Sequence, residues 1–73
     1  MLRLTNEEML ELRPLVGEAR TGWMELKDER RLRYLLSKQN PKAATMGLQE
    51  LIDTGLFLVG LHRLLELVEA EAA

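Results

Sequence analysis

The chain has no cysteine, one histidine, two prolines and three aromatic residues, Trp23, Tyr34 and Phe57. Without cysteine no disulfide can form, and with His62 as the only imidazole a Cys/His zinc site within one chain is excluded. An all-carboxylate metal site requires Asp and Glu to converge, and no local motif announces that. The sequence also lacks a glycine-rich phosphate loop, an HExxH pair and a nucleophile elbow, so no metal, cofactor or enzymatic activity is expected. Long uncharged runs are missing too. After Asp53 the longest runs from Thr54 to His62, far short of the roughly 17–25 residues that cross a bilayer. The opening MLRLTNEEML carries early charges and no apolar core, so it is not expected to act as a secretion signal, and the cytoplasm is the expected location.

What is present is helix. Seventy-three residues allow one small domain, 1–73, which buries only about 60% of the surface its unfolded chain exposes. With disulfides and zinc excluded, oligomerisation is the remaining route to a larger core. The C-terminal third, LQELIDTGLFLVGLHRLLELVEAEAA, carries more apolar surface than the preceding residues can comfortably cover. That excess predicts a partner, with a second copy of the chain preferred and a dimer the simplest assembly.

Thr5 followed by Glu8 is a capping box, so a first short helix is expected to start there, with Met9, Leu10 and Leu12 on it. Pro14 lacks an N–H and its ring crowds the preceding turn, which predicts a bend or stop near Arg13, with an irregular link between Gly17 and Gly22. Residues 23–38 are rich in helix formers and place Met24, Leu32, Leu35 and Leu36 on one face. Trp23, Leu26 and Tyr34 form a second, narrower apolar edge. Asn40 suits an N-cap and Pro41 the first helical position, so a long third helix is expected to run from Pro41 to about Ala70, about 45 Å if unbroken. The expected fold is therefore all-α, a three-helix chain of short, medium and long elements forming an oligomeric helical bundle.

The apolar stripe of the third helix changes faces. Leu51, Ile52, Gly55, Leu58 and Val59 cluster around Leu48 on a helical wheel, whereas Leu61, Leu64, Leu65 and Val68 cluster on the opposite side. Either a kink at Gly55 or Gly60 aligns the two stripes, or the helix packs on two different neighbours, one in its own chain and one in another subunit. The second arrangement is preferred, and it nominates Leu61, Leu64, Leu65 and Val68 as interface residues. Trp23 joins them as a candidate anchor, with core packing at the start of the second helix as the competing role. Gly47, Gly55 and Gly60 either admit close backbone approach or simply lower helix propensity.

Leu51-Ile52-Asp53-Thr54-Gly55 resembles the apolar-apolar-Asp-Thr-Gly signature of aspartic proteases, in which two such loops bring two carboxylates together to activate water. Here Gln49-Glu50 before it and His62-Arg63-Leu64-Leu65-Glu66 after it keep helical character, and a polar helix face or local break is the reading adopted. His62 and Glu66 share a helical face four residues apart, with no nucleophile or second ligand beside them. His62 is expected on the polar side of the helix, at the surface or in an interface.

Charge is segregated. Residues 1–26 carry a net −2, residues 27–42 a net +4, and residues 43–73 a net −4. The basic segment offers Arg30, Arg31, Arg33, Lys38 and Lys42, with Tyr34, Gln39 and Asn40 nearby, and the alternative function is a small nucleic-acid-binding or regulatory protein using residues 27–42. Against it stand the single aromatic in that segment and the acidic whole, net −2 with an isoelectric point near 5.4. A membrane-surface role fits poorly because the apolar third helix lacks a basic polar face. The segments can equally pair with one another, within a chain or across a dimer. The expected function is a non-enzymatic protein–protein interaction or assembly module acting as a helical homo-oligomer.

Overall fold

In the computed structural model, residues 2–72 are described. Three α-helices, α1 (Asn6–Arg20), α2 (Leu26–Gln39) and α3 (Leu48–Ala72), follow in chain order, with a 3₁₀ turn Pro41–Thr45 between the last two. The Thr5 hydroxyl accepts from the Glu8 N–H at 3.1 Å, and the Thr5 N–H donates to the Glu8 carboxylate at 2.9 Å, which is the capping box expected from the sequence.

α1 does not stop at Pro14. It continues through Pro14 and Gly17 to Arg20, a correction to the expected bend. The reason is tertiary. Met9 and Leu12 before the proline and Val16 and Ala19 after it fall on one buried face, while Pro14 faces solvent. Burying a large apolar side chain contributes about 1.5–3 kcal/mol, so the shared core offsets a proline penalty of about 3 kcal/mol. The expected link shrinks to Thr21 and Gly22, where Gly22 takes φ +91°, a left-handed conformation that glycine adopts without steric cost.

α2 starts at Leu26, three residues later than expected, because Trp23, Met24 and Glu25 follow the Gly22 turn as irregular backbone. Leu32, Leu35 and Leu36 are fully buried on its inner face. The third helix also begins later than expected. Asn40 does act as a cap, accepting the Lys42 N–H at 3.1 Å, but it caps only the short 3₁₀ turn. Arg33 explains the break. Its Nη1 donates to the Ala43 carbonyl at 2.9 Å, which also accepts the Met46 N–H at 3.3 Å, and to the Met46 carbonyl at 2.6 Å, tying down the end of the 3₁₀ turn. Met46 is extended, and α3 starts at Leu48.

α1 and α2 run antiparallel, as the pairing of Glu8 with Lys38 and of Glu11 with Arg31 requires. α1 and α3 are antiparallel as well, since Asn6 meets His62 and Val16 meets Gly55. The core is a single cluster, with Met9, Leu12, Leu32, Leu35, Leu36 and Leu51 as its largest fully buried side chains. α3 is one uninterrupted helix through Gly55 and Gly60. At 25 residues it spans about 37 Å, most of the 41 Å long axis of the molecule.

Candidate interaction surface

The face of α3 that meets α1 is set by spacing. Leu51, Gly55, Leu58 and His62 recur at four, three and four residues, one line along the helix, and all four are buried. At Gly55 the approach leaves no room for a side chain: a Cβ there would lie 2.5 Å from Val16 Cγ2. Gly47 and Gly60 have nothing within 4 Å of the same position, so close packing belongs to Gly55 alone among the three.

His62 corrects the sequence expectation. It lies opposite the second leucine stripe, which points to the polar side, yet it continues the α1-facing line and is only 8% exposed. Its Nε2 lies 3.1 Å from Asn6 Oδ1, and its Nδ1 lies 3.1 Å from Arg13 Nη2 and 3.0 Å from Glu66 Oε1. With the proton on Nε2, the ring donates to Asn6 and accepts from Arg13 at Nδ1. The same Arg13 nitrogen donates to Glu66 at 2.9 Å. This network closes the polar end of the α1–α3 contact. It contains no hydroxyl or thiol nucleophile, and among the described residues no group of three or more Asp, Glu or His side chains could hold a metal ion.

Beyond His62 the helix leaves the core. Every residue from Arg63 to Ala72 is exposed. Because the α1-facing line turns polar at His62 and Glu66, the leucines of this arm point elsewhere. Leu64 is 60% exposed and Val68 62%, with Leu67 similarly open, Leu65 less so and Leu61 half-buried. Leu65 borders an open groove whose other apolar walls include Leu2, Leu4 and Leu10. Phe57, one turn before Leu61, is also exposed. Three of the five expected interface residues, Leu64, Leu65 and Val68, thus stand exposed on one helical arm, with the half-buried Leu61 just before it.

The fifth, Trp23, stands apart. It is 69% exposed, which removes its competing role in the core. It lies in the α1–α2 link, at the end of the bundle opposite the arm. Leu26 and Tyr34 are exposed with it, so the narrow apolar edge of the second helix is an outward edge. Leu26, Tyr34, Leu67 and Phe57 are surface candidates absent from the sequence-derived set. The signal exists for Leu26 and Tyr34, which the inner face of α2 excludes by its own periodicity.

The five candidate nucleic-acid contacts divide. Arg31 binds Glu11 with two nitrogens and Lys38 binds Glu8, both across the α1–α2 contact. These bonds hold the Glu8 and Glu11 carboxyls below their ordinary titration range and raise the Lys38 and Arg31 groups above theirs. Both cations also lie 5.2 Å from the centre of the Tyr34 ring. Arg33 is committed to the Ala43 and Met46 carbonyls and lies 3.6 Å from Glu29. Arg30 and Lys42 are exposed and form no ion pair with the described residues. Asp53 of the protease-like motif lies inside α3, accepting from Gln49 at 3.1 Å.

No family model, characterised protein or solved structure matches the chain. No helix among the described residues is long and apolar enough to cross a membrane. The functional reading therefore rests on the surfaces described above.

Proposed function

We propose that this protein is a non-enzymatic assembly module that acts as a helical homo-oligomer, a dimer in its simplest form, through the exposed arm of α3. One observation carries the reading: the ten residues from Arg63 to Ala72 are all exposed, yet include Leu64, Leu65, Leu67 and Val68. The arm prolongs a helix already anchored in the core, so its backbone hydrogen bonds form without a new nucleation cost. Alone, however, it leaves four large apolar side chains in water. A partner surface that covers them stabilises both the arm and the assembly.

This reading is preferred to nucleic-acid contact through residues 27–42. Arg31, Arg33 and Lys38 already hold acceptors of their own chain, which leaves Arg30 and Lys42 as the free cations of that set among the described residues. Phosphate contacts scale with the number of available cations, and two give a weak site.

The test is absolute solution mass across a hundredfold dilution, for the natural chain and for Leu64→Asp. The expected result is a multiple of 8.4 kDa for the natural chain and a folded 8.4 kDa monomer for the variant, whose substitution lies outside the core. A natural chain that is monomeric throughout overturns the proposal.

A further inference from the structure

Two outward surfaces carry large apolar side chains that their own chain leaves exposed. One is the outward face of the α3 arm, where Leu64, Leu67, Val68 and Glu71 share one side at three- and four-residue spacing and are exposed. The other is the outward face of α2, where Leu26, Arg30 and Tyr34 recur at four-residue spacing and are exposed, with Trp23 just before them. The first is apolar with a carboxylate. The second is apolar and aromatic with an unpaired guanidinium, a composition enriched where binding energy concentrates.

Resting on the self-association proposed above, we infer that the dimer is reciprocal: the arm of each copy docks on the outward α2 face of the other, with Glu71 opposite Arg30. The directions of the helices allow it. α3 points toward the end of the bundle that holds the start of α1, because His62 meets Asn6, whereas α2 starts at the other end. A two-fold axis across the bundle turns one copy end for end. Each arm then runs antiparallel to the partner's α2, its last turn beside the start of that helix. In an antiparallel pair, residue numbers sum to a constant, so the register that sets Glu71 against Arg30 also sets Leu67 against Tyr34. The helix dipoles align favourably, C-terminal carbonyls of the arm facing the N-terminal turn of α2.

Charge decides against pairing the two arms with each other. Residues 63–72 hold Arg63 against Glu66, Glu69 and Glu71, so two arms together bring like charge onto like charge. Arm-to-arm pairing also leaves Tyr34 exposed and Arg30 without an acidic partner. In this register the arm, residues 63–72, lies along residues 29–38 of the partner, so the reciprocal arrangement covers the arm and Tyr34 together and gives Arg30 an acidic partner, with Trp23 and Leu26 beyond the end of the arm.

Charge reversal at the two exposed positions tests this. The dimer dissociation constant is measured by sedimentation for the natural chain, Arg30→Glu, Glu71→Arg and the double variant, with circular dichroism confirming the fold of each. The reciprocal contact predicts that either single reversal weakens the dimer about tenfold or more and that the double variant restores it. An Arg30→Glu dimer of unchanged affinity, a Glu71→Arg dimer that is tighter, or a double variant that is not restored overturns the inference while leaving self-association standing. A natural chain that is monomeric at every concentration removes both.

Discussion

At the level of single residues, two glycines in one helix separate packing from propensity. A methyl group at Gly55 meets Val16 within 2.5 Å, so Gly55→Ala is expected to cost about 1–3 kcal/mol in urea unfolding, with partial recovery when Val16→Ala is added. Gly60 meets nothing within 4 Å, so Gly60→Ala is expected to gain up to about 1 kcal/mol from helix propensity. Equal effects at the two sites would contradict the packing described. The carboxylates offer a second test, with opposite signs on one helix. Glu8 and Glu11 titrate below their ordinary value because Lys38 and Arg31 hydrogen-bond to the charged forms. Their contribution is present above the unfolded value near 4.5 and is lost as pH falls through the lowered folded values. Glu18 titrates above its ordinary value, through loss of hydration and then through its proximity to Asp28. Its contribution is present below 4.5 and is lost as pH rises through the raised folded value. Glu18→Gln is therefore expected to raise the urea midpoint at pH 7 and to leave it nearly unchanged at pH 3, whereas Glu11→Gln lowers it at pH 7. Unfolding at fixed protein concentration reads both.

At the level of elements, α3 is two helices in function. Its first half carries Leu51, Ile52 and Leu58 into the core, and its second half carries Leu64, Leu67 and Val68 into solvent. Truncating a core leucine such as Leu35→Ala is expected to cost about 2–5 kcal/mol and to leave the mass of the surviving folded form unchanged. Val68→Asp is expected to do the reverse, with the monomeric fold kept and the assembly lost, as read by light scattering. Amide exchange on residues 63–72 should slow as protein concentration rises and should return to the fast regime in Val68→Asp. Concentration-independent fast exchange would count against a covered arm. The periodicities of α2 and of the first half of α3 are legible in the sequence, since Leu32, Leu35, Leu36, Leu51, Ile52 and Leu58 lie on the faces expected to be buried. The line through His62 is not, because the leucines after Phe57 draw the apolar axis of the helix to the other side.

At the level of the whole molecule, charge segregation resolves into internal seams. The acidic first helix pairs with the basic second through Glu8 with Lys38 and Glu11 with Arg31, and Arg13 reaches Glu66 on the third. Surface pairs of this kind contribute little each, commonly about 0–1 kcal/mol, and their use here is to fix which helix lies beside which and in what direction. A dimer adds stability by mass action, so the thermal midpoint is expected to rise with protein concentration for the natural chain and to stay constant for Leu64→Asp. A midpoint independent of concentration in both would show that folding and association are not linked.

Local spacing is enough to specify the all-α class, the capped start of α1, the buried faces of α2 and early α3, and the separation of the leucine stripe at Leu61, Leu64, Leu65 and Val68 from that core. These depend on side-chain period and on backbone hydrogen bonding, which neighbouring residues settle among themselves. Packing between helices is what carries α1 through Pro14, lets Arg33 capture two carbonyls and delay α3 to Leu48, buries His62 against Asn6 and Arg13, and leaves Trp23 outside the core. Each of these is an outcome in which the assembled tertiary arrangement outweighs a local preference, and the contacts responsible exist only once the helices have chosen their neighbours.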